Sequence, residues 1–183
     1  MKPPVKIPPT ERLMFRLMSR DDADLLFELD QDPEVMRFLN DSKPTPREEI
    51  DRYFIPRMEK FTDPEAGCGL WAVLDRSNGE YLGWILVRIY GTGTTYKTPG
   101  NIELGWRLYR HCWGKGIATE AAAAIMEVLR HRDDVKVFSA IADVDNFGSI
   151  GVMKKLGMQF VDERTHVTPK GDLPVAYYEI AAQ

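Results

Sequence analysis

Between Arg12 and Leu17, Leu13, Phe15 and Leu17 alternate with Arg12, Met14 and Arg16. That two-residue period belongs to a strand with one buried face. Ser19 followed by Asp21 and Asp22 signals a helix start, a capping hydroxyl ahead of acids that suit the positive end of the helix dipole. The helix it opens sets Ala23, Leu26, Phe27 and Asp30 along one side. Further helices are predicted over Pro33–Leu39 and Pro46–Phe61. From Leu70 the pattern turns to strands, Leu70–Leu74 and Tyr81–Tyr90, separated by the turn signal Ser77-Asn78-Gly79. A Gly/Thr-rich loop, Gly91–Gly100, leads to a third such strand, Asn101–Leu108. Its residues Ile102, Leu104, Trp106 and Leu108 take one face and Glu103, Gly105 and Arg107 the other.

A long helix over about Gly116–Arg130 follows, with Ile117, Ala121, Ala124, Ile125 and Val128 as a narrow stripe suited to lying on a sheet. Then come a strand (Lys136–Ala142), a helix (about Asn146–Leu156) and two strands near Met158–Glu163 and Val175–Ile180. Gly157 is placed to end that helix, with Lys154 and Lys155 at its negative pole. This order predicts an α+β fold. Residues 1–9, rich in proline, are expected as a flexible arm, and 10–183 as a single domain, since no repeat, linker or low-complexity segment divides them.

Composition narrows the function. The chain has 183 residues, 44% of them hydrophobic and 28% charged, enough apolar content for a packed core. A net charge of −4 argues against a general nucleic-acid partner. No apolar run approaches the ~18 residues of a membrane span, and the proline-rich start lacks a signal peptide's apolar centre, so the expected location is cytoplasmic. Cys68 and Cys112 build no disulfide framework, and His111, His131 and His166 lack metal-ligand spacing. No metal is expected.

The richest motif is Trp113-Gly114-Lys115-Gly116-Ile117-Ala118-Thr119-Glu120. Two glycines between a strand and a helix free backbone N–H groups to converge on one spot, where the helix N-terminus adds positive charge: a pyrophosphate cradle. A tight turn without a ligand reads equally well from this segment alone. The third glycine of a dinucleotide fingerprint falls at Thr119, and the loop follows an antiparallel meander, so that fold fits worse. Gly91–Thr98 imitates a P-loop, but Tyr96 takes the second glycine position and Pro99 follows at once. Asp143-Val144-Asp145 hints at calcium until Phe147 and Lys154 occupy ligand positions. Asn146 or Asp145 reads as the cap of the later helix, from which polar groups can also reach a ligand. Glu103 is an acid on a central strand, where acids are depleted. It is either an ion-paired residue, with Arg107 nearby in sequence, or a general base.

Together these residues resemble the GNAT superfamily of N-acetyltransferases, and within it the ribosomal-protein alanine acetyltransferase branch. The resemblance runs from Thr10-Glu11-Arg12-Leu13 to the last strand. Glu103–Leu108, Trp113–Ala121 and Asn146–Gly157 are its specific part. It implies a mixed, mostly antiparallel sheet, flanked by helices, that splays between Asn101–Leu108 and Lys136–Ala142 to admit the pantetheine arm of acetyl-CoA, the cosubstrate. The implied cofactor-binding residues are Trp106, Leu108, Trp113, Gly114, Lys115, Gly116, Ile117, Ala118, Thr119, Asn146 and Ser149. Glu103 matches a base, often acting through water, and in place of the tyrosine that many members use to protonate the departing thiolate, Ser149 or a water would serve, or the thiolate leaves unassisted. That tyrosine position holds Met153, whose thioether donates no proton. Trp113 also departs from the Q/R that opens the family's Q/R-x-x-G-x-G/A signature.

The implied activity is direct transfer of an acetyl group to a primary amine, of a protein N-terminus or a small molecule, by a monomer or homodimer. The acceptor is expected between Asp32–Asn40 and a loop over Thr165–Leu173. A non-catalytic acyl-CoA sensor is the alternative that Met153 motivates, and a nucleotide binder using the Gly91 loop is another.

Overall fold

The computed structural model of the chain describes residues 3–168 and 171–183. Strands β1 (Leu13–Leu17), β2 (Gly69–Asp75), β3 (Tyr81–Ile89), β4 (Asn101–Leu108), β5 (Val137–Asp143), β6 (Gln159–Thr168) and β7 (Gly171–Ala181) form one sheet in the order β1-β2-β3-β4-β5-β7-β6. Each neighbouring pair is antiparallel except β4 with β5. The expected mixed, mostly antiparallel α+β fold is the one observed.

Helices cover both faces, and the strand alternation decides which residues go where. Trp71, Val73, Ile85, Val87, Ile102 and Leu104 join α4 (Ile117–Leu129) and α5 (Phe147–Lys155) in one core. Leu70, Ala72 and Trp84 face the other way, against α1 (Ala23–Leu29) and the helical run of α2 (Arg47–Glu49), a π-helical stretch Ile50–Phe54 and α3 (Ile55–Phe61). Pro56, which has no N–H to give, sits just beyond that π-helical stretch. α4 buries Ile117, Ala121, Ala122, Ile125, Met126 and Leu129, so its stripe is rotated from the expected one and Ala124 and Val128 lie at its margin.

Local chemistry matches the start and stop signals. The Asp21 N–H donates to Ser19 Oγ at 3.3 Å, and the Asp22 carboxylate accepts from the Ser19 N–H at 2.8 Å. Asn146 Oδ1 accepts from the Ser149 N–H at 3.1 Å and caps α5. Gly157, at φ +83°, ends it.

Three expectations are corrected. Pro33–Leu39 is a chain of turns and not a helix: Met36 bonds back four residues to Asp32, but Arg37 and Leu39 each bond back three, so no α-helical ladder is established. Left-handed Asn40, Asp41 and Ser42 then end it. The segment Thr165–Leu173 is mostly paired strand, with Thr165 opposite Pro174 and Thr168 opposite Gly171; residues 169–170 lie outside the described ones. The stretch expected as a flexible arm packs in where it is described, with Ile7 buried and the Val5 N–H on the Pro64 carbonyl at 2.8 Å.

Candidate active site

β4 and β5 pair only through Asn101–Val137, Ile102–Phe138 and Glu103–Ser139. Beyond Glu103 they part, and Leu104–Leu108 has no partner on Ala140–Asp143. A polar knot holds the closed end: Ser139 Oγ donates to Asn101 Oδ1 at 2.6 Å, and Asn101 Nδ2 donates to the Tyr177 hydroxyl at 2.8 Å. The β5-facing edge of β4 therefore offers free backbone N–H and C=O groups, which an extended ligand can pair with as a strand would.

The parted strands open a cleft of about 670 Å³. At one end lies the glycine loop. Gly114 (φ +70°) and Gly116 (φ +76°) both adopt left-handed backbone, and Gly116 is the residue that opens α4. A Cβ built on Gly114 meets nothing within 4 Å, so the loop faces open space in front of a helix N-terminus. Those are the requirements of a phosphate cradle. Trp113, 46% exposed, is tied by its indole N–H to the Leu108 carbonyl at 3.0 Å.

The structure brings the residues singled out from the sequence to this one cleft. Glu103, Trp106, Leu108, Trp113, Gly114 and Gly116 line it from the β4 side and the loop, and Ile117, Ala118, Thr119, Asn146 and Ser149 from the two helix starts. Lys115 is the exception: its side chain is exposed and does not line the cleft. Trp106 Nε1–H donates to Ser149 Oγ at 3.2 Å, a contact from β4 to α5 across the split. Met153 is fully buried in the core and does not line the cleft.

Glu103 is buried, and its partner is not Arg107. Arg88, directly opposite on β3, grips both carboxylate oxygens at 2.8 and 2.9 Å. Arg107 instead binds Asp30 at 2.6 Å, with its guanidinium 4.9 Å from the Trp84 ring centre. Thr45 Oγ1 donates to the other Asp30 oxygen at 2.6 Å. Glu103 and Asp30 under this part of the cleft are thus already paired, while Val35, Phe38, Leu39, Trp84 and Leu86 add apolar wall and Glu34 and Arg37 also line it. Among the described residues, Trp84 Nε1 and Arg107 Nε are buried donors without a protein acceptor. Burial holds the His166 imidazole below its ordinary value; nearby Glu103 pulls the other way, and Arg88 and Arg57 add to the lowering.

Both thiols are free and buried. Burial pushes Cys68 up to about 11 and also raises Cys112, so both stay protonated near neutral pH. Among the described residues no group of three or more His, Cys, Asp or Glu side chains is placed to hold a metal, and no helix is long and apolar enough to cross a membrane. The Gly91 loop closes on itself through Thr92–Ile89, Thr94–Gly91 and Thr98–Tyr90 backbone bonds and feeds β4, not a helix.

The profile of the acetyltransferase (GNAT) domain matches residues 12–159. The chain belongs to the GNAT acetyltransferase family. An uncharacterized protein of Bacillus subtilis strain 168, YkkB, is 31% identical over 174 residues, covering 93% of this chain and 92% of its own length. Two acetyltransferase structures solved with coenzyme A share the fold. The aminoglycoside acetyltransferase AAC(6')-Ib superposes with a TM-score of 0.72 at 19% identity, over 92% of this chain and 94% of its own. RimL, a ribosomal L7/L12 α-N-protein acetyltransferase, does so with a TM-score of 0.73 at 16% identity, over 96% and 97%.

Within this GNAT fold, sequence reasoning missed Arg88 and the Trp84–Arg107–Asp30 group. The only signal for Arg88 is its place opposite Glu103. That register depends on the path of the long Gly91–Gly100 connection, which no residue pattern encodes.

Proposed function

We propose that the protein transfers an acetyl group from acetyl-CoA to a primary amine by direct attack within a ternary complex. The observation that carries this reading is the parting of β4 and β5 beside a left-handed glycine loop at the start of α4. Together they make a slot with free strand edge for a pantetheine arm and a backbone cradle for a pyrophosphate. The donor fits the residues present: Gly114–Thr119 would hold the phosphates, and Trp106, Leu108, Asn146 and Ser149 would flank the arm.

In the proposed reaction the amine nitrogen attacks the thioester carbonyl carbon, forming the C–N bond. Charge developing on the carbonyl oxygen meets a backbone N–H on the free edge of β4. The C–S bond then breaks, leaving an amide and the thiolate of CoA. Glu103 is the candidate base, held in place by Arg88 and taking the amine's surplus proton through a water. Ser149 is the candidate proton source for the thiolate. Its oxygen already accepts from Trp106, which leaves its own O–H free to donate, and water refills its proton. The buried, protonated thiols give no support to a covalent enzyme intermediate.

The acceptor side of the cleft favours one amine on an apolar body over a polycation, because Glu103 and Asp30 are already paired with arginines and Glu34, a further carboxylate on that wall, is accompanied by Arg37. A protein N-terminus and a small monoamine both meet that description. The compartment we propose is the cytosol, where CoA and two free thiols are at home. Met153 in the core leaves one second reading, an acyl-CoA sensor without turnover. Amine-dependent release of the CoA thiol, followed over a panel of peptides, monoamines and polyamines, separates the two. Turnover with monoamines or peptides above polyamines is expected. Tight acetyl-CoA binding with no turnover across the panel favours the sensor.

A further inference from the structure

The loop that would hold the pyrophosphate is itself held from behind. Arg12, at the entry to β1, donates from one terminal guanidinium nitrogen to the Lys115 carbonyl at 2.9 Å. Its Nε–H bonds Glu120, in the first turn of α4, at 2.6 Å, and the other terminal nitrogen forms the ion pair at 2.6 Å. Thr10 Oγ1 donates to the second Glu120 oxygen at 2.6 Å, and the Arg12 backbone N–H also points at it, at 3.3 Å. Thr10 Oγ1 in turn accepts from the Leu13 N–H at 3.0 Å, which fixes the hydroxyl to the start of the strand.

Two physical consequences follow. In a trans peptide the C=O and the next N–H point in opposite directions. Fixing the Lys115 carbonyl on Arg12 therefore fixes the Gly116 N–H away from Arg12. Gly116 lines the cleft and Lys115 does not. Glu120 also carries a negative charge in the first turn of the helix whose N-terminus faces the cleft, and Arg12 neutralises it.

We propose that Arg12, with Thr10 and Glu120, is a positioning group for the anion cradle: it sets the direction of the Gly116 N–H and cancels the Glu120 charge without touching the ligand. This rests on the reading of the loop as a CoA pyrophosphate site. The informative change is Arg12→Lys, which keeps a cation beside Glu120, but whose single ammonium does not span both Glu120 and the Lys115 carbonyl. Arg12→Met removes the charge as well.

The test is calorimetric titration of CoA into the full chain and both variants, with unfolding midpoints and the Gly116 amide resonance followed in parallel. Arg12→Lys is expected to weaken CoA about tenfold, the effect of one hydrogen bond to a charged group, at a nearly unchanged midpoint. The Gly116 amide should move on CoA addition in the wild type and much less in Arg12→Lys. Arg12→Met should weaken CoA further. CoA affinity within twofold of wild type in Arg12→Lys, with the Gly116 shift intact, overturns the proposal and leaves the clamp a fold contact. Should Arg12→Met fail to fold, Arg12→Lys alone decides. Absence of CoA binding to the wild type instead removes the pyrophosphate reading itself.

Discussion

With both Glu103 oxygens held by Arg88, a substitution at Glu103 acts on chemistry and on stability together. Glu103→Gln should lower kcat by about 10²- to 10⁴-fold, the usual contribution of a placed base. It should also cost about 3 to 5 kcal/mol of stability, because Arg88 is left buried beside a neutral group. CoA affinity should barely change, so titration calorimetry on the folded variant separates the two effects. A kcat equal to wild type at neutral pH would return the base role to water and leave Glu103 a structural acid. At the loop, Gly116→Val should weaken CoA binding more than Lys115→Ala, because a φ of +76° is costly for a branched side chain and Lys115 faces away from the cleft. The opposite order of the two dissociation constants would mean that side-chain charge, not backbone, holds the ligand. The unusual acid on the strand was visible in the sequence; its partner was not, because Arg88 becomes its neighbour only through strand register.

The three residue pairs that close β4 onto β5 set where the split begins, and the Ser139–Asn101–Tyr177 knot sits on them. Asn101→Leu takes the acceptor from the buried Ser139 hydroxyl, while the Tyr177 hydroxyl keeps its bond to Glu179, a loss of about 1 to 3 kcal/mol for the unsatisfied group. Urea unfolding should show a lower midpoint, with CoA affinity weakened as the slot loosens. An unchanged midpoint would mean that the pairing stands without the knot. Elements with a buried face were legible. β1 and β4 follow the two-residue period, β2 and β3 show as apolar runs buried on both faces, and the turn leading into α1 and the start of α5 carry their capping residues. β6 was under-read because most of its residues are exposed on both faces, so no alternation marks its length. Pro33–Leu39 was over-read as helix because Val35, Met36 and Leu39 lie at helical spacing, which a row of turns also serves.

For the whole molecule, the sheet order and its split were accessible only through the resemblance that three motifs carried in the right sequence. Periodicity alone predicted the strands, not their order. The acid limit of stability follows from the ion pairs around β1. Burial pushes the Asp22 carboxyl up, but hydrogen bonds from Arg16 and Ser19 more than reverse it; burial likewise raises Glu120, and Thr10 and Arg12 more than reverse that. A carboxyl lower in the folded state than in the unfolded one contributes stability that is complete above its unfolded value and is lost as pH falls through its folded value. Thermal unfolding should therefore hold steady near neutrality and drop as pH falls below about 4, with a shallower drop in Arg16→Met. An acid limb of equal steepness in that variant would remove the Arg16–Asp22 pair as a cause.

The central claim is that the split between β4 and β5, with the glycine loop at its end, is an acyl-CoA site. Titration calorimetry of acetyl-CoA into the full chain, repeated with saturating ATP and magnesium, tests it most directly. The account predicts one saturable site of low-micromolar to sub-millimolar affinity that ATP leaves in place. No heat with either acetyl-CoA or CoA, or full displacement by ATP, would contradict it.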